Sequence, residues 1–187
     1  MGRWEPDAAG RLRESAMALY TEQGFEGTTV AEIADRAGVT ARTFFRHFAD
    51  KREVLFAGSE ELEQTMVAAL AAAPPSAGPM DAIAAALMAA GDLFADRRDY
   101  ARRRQAVIAA TPELRERELI KMASLATAFA EALNQRGVGP AVASLAAETG
   151  VAVFRVAFER WVAEPRNARL ADVMRATLAD LAGLTTH

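Results

Sequence analysis

Apolar residues recur at helical spacing along most of the chain, and no strand-like alternation interrupts them. The first apolar stripe is formed by Leu12, Ala16, Leu19 and Tyr20. Gly24 is placed to end this first helix. Thr28 or Thr29 can cap a second helix, and Glu32 follows Thr29 at the spacing of a capping box. Gly38 ends this second helix, so the pattern predicts two helices, of which the second is short.

The third predicted helix is short as well, but the fourth is long. Thr40 can cap a third helix of one to two turns, and Asp50 is placed to cap the fourth. The stripe of the fourth helix that is expected to be buried contains Leu55, Gly58, Ser59, Leu62, Met66, Ala69 and Leu70. We therefore expect one continuous helix that begins near Asp50, beside the first three helices, and reaches Leu70.

A proline-rich segment, residues 74–79, separates the fourth helix from five further ones. These helices are predicted over residues 80–94, 96–110, 111–136, 140–164 and from residue 167 onward. Pro112 suits the first position of one of them, directly after Thr111 as its cap. Alanine, leucine, arginine and glutamate dominate the composition, which also favours helices. The prediction is an all-α chain of about nine helices.

Residues 37–40, Ala-Gly-Val-Thr, join the second and third helices. Gly38 permits a tight turn, Val39 can fill the core, and Thr40 caps the following helix. This order of residues is typical of a helix-turn-helix, whose second helix presents its N-terminal residues to the major groove of DNA. The residues expected to face inward are Val30, Ile33, Ala34, Ala37, Val39, Phe44 and Phe48.

The segment TTVAEIADRAGVTARTFFRHFADKREVL, residues 28–55, resembles the DNA-binding segment of TetR-family transcriptional repressors. The likeness extends over residues 7–57 and includes Gly24 and Phe25 at the end of the first helix. It implies a DNA-binding domain over residues 1–57. The remaining residues, 58–187, would form a C-terminal helical domain for regulation, ligand binding and dimerisation.

The resemblance also implies a DNA-binding surface. Its expected members are Thr29, Thr40, Ala41, Arg42, Thr43, Phe45, Arg46, His47 and Lys51. Thr29 would bind a phosphate, and residues 40–43 would lie at or near base edges. Phe45, His47 and Lys51 occupy positions that the family often uses on the DNA backbone. The family usually has Tyr at position 45, where its hydroxyl binds phosphate, and Phe45 cannot make that bond.

Charge supports this surface only locally. The chain has 22 Lys and Arg against 25 Asp and Glu, a net charge of −3, so a global field does not attract DNA. Residues 36–52 contain one acidic residue, Asp50, against five basic ones: Arg36, Arg42, Arg46, Lys51 and Arg52. This local charge of +4 suits phosphate contact and counterion release. Residues 96–104, DRRDYARRR, could form a second nucleic-acid patch, but the interleaved acidic residues favour a solvated helix face.

Composition argues against other classes of protein. Cysteine is absent, and the only histidines are His47 and His187, so metal clusters, cofactor sites and catalytic triads find few candidate residues. No apolar leader or membrane span is visible, which indicates a cytoplasmic protein. An enzyme has no glycine-rich phosphate loop to support it. A helical protein–protein adaptor that retains a helix-turn-helix corner is the alternative to a DNA-binding regulator.

The helices between residues 80 and 137 carry more apolar faces than one bundle seam needs, which favours a pocket for a small apolar effector. The candidate lining residues are Met66, Ile83, Leu87, Phe94, Ile108, Met122, Leu125 and Phe129, each of which suits a plain core equally. A ligand at the far end of the fourth helix would tilt that helix as a rigid body. The tilt would change the separation of the recognition helices and release a repressor from its operator.

The last two helices have apolar faces that favour a homodimer with a four-helix interface, which the family resemblance also implies. The residues expected there are Phe154, Phe158, Trp161, Val162, Leu170, Val173, Met174, Leu178 and Leu181. Some of this apolar surface must cover the C-terminal core. A dimer would bind a palindromic double-stranded operator, because two-fold symmetry in the protein calls for two-fold symmetry in the site.

Overall fold

The computed structural model describes residues 7–164 and 168–185. Within these ranges it contains helices and no strands, which confirms the all-α prediction. The helices are α1 (Ala8–Gln23), α2 (Val30–Arg36), α3 (Ala41–His47), α4 (Ser59–Ala71), α5 (Pro79–Leu93), α6 (Arg98–Ala110), α7 (Pro112–Gln135), α8 (Pro140–Ala163) and α9 (Leu170–Thr185).

Most helix boundaries lie where the sequence places them. Thr29 caps α2 and Thr40 caps α3, and each side chain accepts a hydrogen bond from the backbone of the first turn. Helices α5, α7 and α8 each begin at a proline, whose fixed φ suits the first helical position. Asn167, the expected start of the last helix, lies outside the described residues, and α9 is described from Leu170.

The prediction of one continuous helix from Asp50 to Leu70 is wrong. Residues 51–58 form turns, and α4 begins only at Ser59. The Asp50 carboxylate accepts the backbone N–H groups of Arg52 and Glu53, as a cap would, but the turn does not continue as a helix. Gly58 has a φ of 91°, in the left-handed region that interrupts a right-handed helix. The helix-turn-helix and α4 are therefore joined through a turn.

One compact unit consists of the described residues up to Gly58, residues 7–58, together with residues 103–116. In this unit α1 packs against α2 and α3, which pack against each other. Its core combines side chains from the three helices and from the turns after them: Leu12, Ala16, Met17, Tyr20, Phe25, Ile33, Phe44, Phe48, Val54, Leu55 and Phe56. Residues 103–116, the end of α6 and the start of α7, lie outside the domain boundary that the sequence indicated.

The second compact unit contains residues 59–102 and the described residues from Arg117 onward. Helix α5 packs against α4, α8 and α9, and α8 packs against α9. Helix α8 is long and apolar enough to cross a membrane by length and composition, but half of that stretch is buried inside the protein. This burial is typical of the central helix of a helical core.

Candidate DNA-binding surface

The turn between α2 and α3 is held by backbone hydrogen bonds. Gly38 has a φ of 69°, and its N–H donates to the carbonyl of Asp35 at 2.9 Å. The N–H of Val39 donates to the carbonyl of Ala34, also at 2.9 Å. A left-handed residue at this point reverses the chain direction within three residues, which only glycine does without strain. The local sequence therefore sets the tight helix-turn-helix corner.

Both predicted threonine caps are confirmed. The Thr29 hydroxyl accepts from the N–H of Glu32 at 3.2 Å, while the Glu32 carboxylate accepts from the Thr29 N–H at 2.8 Å. The hydrogen bonds from the Thr29 side chain and backbone lower the pKa of Glu32. The stabilisation is therefore present above the ordinary pKa of a glutamate and is lost as pH falls through the lowered value. Thr40 accepts from the N–H of Thr43 at 3.2 Å.

Helix α3 turns one face inward and one outward. Phe44 is fully buried and Phe48 nearly so, and their ring centroids are 5.6 Å apart. Ala41, Arg42, Phe45, Arg46 and His47 are exposed, and Thr43 is half-buried. The exposed residues 41, 42, 45 and 46 are related by helical spacing and form one continuous surface. We call this set, Ala41, Arg42, Phe45 and Arg46, the outer face of α3.

Lys51 was expected to contact the DNA backbone, but its ammonium group is bound within the protein. Its Nζ donates to the carbonyls of Phe25 and Thr28 at 2.8 and 2.9 Å and lies 4.3 Å from the centroid of the Phe25 ring. The Tyr20 hydroxyl donates to the carbonyl of Lys51 at 2.6 Å. Lys51 thus ties the segment after α3 to the loop between α1 and α2, and two of its three N–H bonds are already used.

The charge of the predicted basic patch is partly neutralised by pairing. Arg36 forms two hydrogen bonds to the Glu22 carboxylate, at 2.5 and 2.7 Å, and this pairing lowers the pKa of Glu22. Arg52 pairs with Asp50 at 2.6 Å. Arg42 and Arg46 carry the positive charge of the outer face of α3. No group of three or more His, Asp or Glu side chains within the described ranges could hold a metal ion.

The expected pocket residues belong to two different units. Met66, Ile83, Leu87, Leu125 and Phe129 are buried in one apolar cluster of the second unit, and Phe94 and Met122 pack against it. Ile108 is a correction, because it is buried in the first unit together with residues 103–116. The remaining seven side chains are thus brought together as a core, and a pocket among them stays a prediction.

The residues expected at the dimer interface also need correction. Six of the nine are buried within the subunit itself: Phe154, Phe158, Trp161, Leu170, Val173 and Met174. Phe158 contacts the rings of Phe94 and Trp161, with centroids 5.4 and 5.6 Å apart. Large apolar side chains are preferred in the core of a subunit, because stabilisation increases with the apolar area removed from water. The other three, Val162, Leu178 and Leu181, are half-buried.

Residues 103–116 are a functional candidate that sequence reasoning missed. Arg104 donates to the carbonyl of Leu55 at 2.7 Å, and its guanidinium lies 5.0 Å from the centroid of the Phe56 ring. Ile108 and Leu114 are fully buried in the same unit. The contacts join residues about fifty positions apart, and no local pattern announces them. The sequence therefore offered no signal for this contact, because the arginines of residues 97–104 have the pattern of a solvated helix face.

We predict that Lys51→Ala destabilises the first unit by about 1–3 kcal/mol, because two charge-assisted hydrogen bonds to buried carbonyls are lost. Chemical unfolding followed by circular dichroism measures this change. Arg46→Ala serves as the control and should stay within about 0.5 kcal/mol, since its side chain is exposed. Equal stability of the two variants would show that Lys51 does not tie the unit together.

The comparisons with known proteins agree with this geometry. Residues 12–57 match the family described as bacterial regulatory proteins, tetR family, and residues 77–185 match the MftR C-terminal domain. The HTH-type transcriptional regulator TcmR of Streptomyces glaucescens is 39% identical over 79 residues, 42% of this chain and 35% of TcmR. The match therefore spans about a third of the length of that relative.

Two further similarities extend along nearly the whole chain. MftR of Mycobacterium tuberculosis is 26% identical over 165 residues, 87% of this chain and 83% of MftR. FadR of Thermus thermophilus, a TetR-family transcriptional repressor solved in complex with lauroyl-CoA, has a TM-score of 0.60 at 22% identity, covering 96% of this chain and 95% of FadR. At that identity the likeness concerns the fold. Because both parts of the chain match family domains, and the first forms the helix-turn-helix that its match requires, the chain belongs to the TetR family of bacterial transcriptional regulators.

Proposed function

We propose that this regulator is a cytoplasmic repressor that binds a palindromic operator as a homodimer and leaves it when a small apolar effector binds. The observation that carries the proposal is the outer face of α3. Arg42 and Arg46 are exposed there beside a turn whose capping fixes the helix start. An exposed arginine on a recognition helix can donate two hydrogen bonds to the edge of a guanine.

We expect Arg42→Ala to lower affinity for the operator by about 5- to 150-fold, the range of one bidentate base contact, while affinity for random duplex changes little. Fluorescence anisotropy with a duplex selected from a random-sequence pool and with random duplex measures both affinities. The logarithm of the binding constant should fall linearly with the logarithm of the salt concentration. Arg102→Ala, which removes an exposed arginine of α6, is the control.

Two outcomes would contradict this assignment in different ways. If Arg42→Ala weakens binding to random duplex as much as binding to the operator, Arg42 contacts phosphate instead of a base. If selection from the pool enriches no sequence at all, operator binding fails as a function. That second outcome would favour the helical adaptor.

The dimer that we propose uses the outward side of α8. Val142, Leu145, Thr149, Ala152 and Val156 follow at intervals of three and four and therefore share one face. Leu145 is 70% exposed and Val156 is 41% exposed. The Thr149 hydroxyl donates to the carbonyl of Leu145 at 2.7 Å, so its donor is satisfied within the helix. A nearly uncharged stripe of this length favours burial against a second subunit.

Helix α9 offers small residues at the same spacing. Ala176, Ala179 and Gly183 are exposed and would let a second helix approach closely. Arg160 of α8 pairs with Asp180 of α9 at 2.8 Å, which fixes the two helices relative to each other. A two-fold pairing of α8 and α9 would form a four-helix interface and place two recognition helices for a symmetric site.

Leu145→Glu and Val156→Glu should each convert the dimer into monomers, because a carboxylate would be buried without a partner. Sedimentation velocity at micromolar concentration measures the change. Leu119→Glu is the matched control, since Leu119 is 61% exposed on α7. Monomeric wild-type protein, or charged variants that remain dimeric, would refute this interface.

We propose that the effector binds in the apolar core of the second unit. The side chains that support this are aliphatic, aromatic and methionine residues, which suit an acyl chain or a similar apolar group. Thermus thermophilus FadR, whose fold this chain shares, was solved with lauroyl-CoA. An acyl-CoA thioester is therefore the first class of effector to test.

We propose that effector binding reaches the helix-turn-helix through α6 and α7. Helix α4 begins after the left-handed Gly58, so it does not extend into the first unit as one helix. Helices α6 and α7, in contrast, each continue from the second unit into residues 103–116 of the first. A shift of either helix would be carried to Leu55 by the hydrogen bond from Arg104.

We expect saturating lauroyl-CoA to lower operator affinity of the wild-type protein by 5- to 150-fold, and operator to lower lauroyl-CoA affinity by the same factor. Arg104→Ala should reduce that factor while leaving lauroyl-CoA binding intact. Calorimetry and anisotropy measure the two affinities, with Arg102→Ala as the control. An unchanged factor in Arg104→Ala would contradict this route, and lauroyl-CoA that fails to bind would contradict the acyl-CoA class.

A further inference from the structure

We propose that Phe45 reads the C5-methyl group of a thymine in each operator half-site and so determines part of the sequence specificity. The inference rests on the proposed operator binding. It assigns to one residue a contact with one chemical group of the DNA. The outer face of α3 therefore has an apolar reading element as well as a charged one.

The ring of Phe45 is both exposed and held in place. Its side chain is 58% exposed, which is unusual for a phenylalanine in the middle of a helix. The ring meets Phe44 edge-on, with centroids 5.4 Å apart and an interplanar angle of 82°. Because Phe44 is fully buried, it fixes one side of the Phe45 ring and leaves the other side free to contact a partner.

The neighbours of Phe45 limit what that partner can be. Ala41 lies one turn before Phe45, so a methyl group and a ring form a short apolar row. Arg42 and Arg46 form a parallel row beside it, also one turn apart. A partner that covers both rows must combine dense negative charge with a small apolar group at a spacing of a few ångströms. Duplex DNA has this combination.

Among the base edges in the major groove, only thymine presents a methyl group. Phenylalanine has no polar atom and cannot hydrogen-bond to a base edge or a phosphate. Contact with the methyl group would bury apolar surface on both partners. The Arg42 row would meanwhile hold the helix in the groove.

The test uses the full-length protein and the duplex selected in the operator experiment. Each thymine of a half-site is replaced in turn by uracil, which removes the methyl group and keeps the base pair. At one position we expect affinity to fall by about fourfold per half-site, the factor for one buried methyl group. Replacement in both half-sites should multiply the two factors.

Phe45→Ala provides the second half of the experiment. In this variant the thymine and uracil duplexes should bind equally, because the side chain that contacts the methyl group is gone. The four affinities form a double-mutant cycle, which isolates the interaction between Phe45 and the methyl group. The uracil effect should persist in Leu119→Ala, which removes an equally exposed apolar side chain from α7. Thermal unfolding of Phe45→Ala confirms that the variant is folded.

The two failures are distinguishable. If no duplex is enriched by selection, operator binding itself fails. If a duplex is enriched and binds tightly, but no uracil substitution lowers its affinity, Phe45 does not read thymine. A uracil effect of equal size in the wild-type protein and in Phe45→Ala would overturn the inference as well, since another residue would then contact the methyl group.

Discussion

Burial of Phe44 holds the helix-turn-helix in shape, because neither of its two helices could persist alone. Helices α2 and α3 contain seven residues each, and isolated helices shorter than about 12 residues are marginal in water. The Phe44 ring is fully buried and contacts the rings of Phe45 and Phe48. Its burial decides which side of α3 faces the solvent. Because Phe44 faces the core, Arg42 is exposed to solvent.

The local features of the fold could be predicted from the sequence because they depend on neighbouring residues. A threonine cap with a glutamate three residues later, as at Thr29, needs only one turn of chain. The start of α4 could not be predicted in the same way. Asp50 does accept backbone N–H groups as a cap would, yet Gly58 takes a left-handed conformation and the helix begins after it. A capping residue shows where a helix can begin, and packing decides whether it continues.

Side-chain assignments depended on contacts that are distant in sequence. The helical spacing of the aromatic residues of α8, such as Phe158 and Trp161, predicted a dimer interface, but these side chains are buried within the subunit. The pattern could not separate core from interface, because both require apolar residues at the same spacing. The role of Lys51 escaped for a similar reason. Its partners are the backbone carbonyls of Phe25 and Thr28. Every residue has a backbone carbonyl, so residue types do not show which carbonyl a lysine will contact.

The first unit is discontinuous in sequence, and this restricts how new DNA specificities can arise by recombination. A crossover near Gly58 would bring in a foreign helix-turn-helix but keep the resident residues 103–116, which form one compact unit with the original one. The hydrogen bond from Arg104 to a backbone carbonyl would tolerate such an exchange, whereas the buried Ile108 and Leu114 would face a different apolar surface. Point substitutions on the outer face of α3 avoid this incompatibility. For this chain, substitution on α3 would therefore disturb the packing of the first unit less than exchange of the helix-turn-helix would.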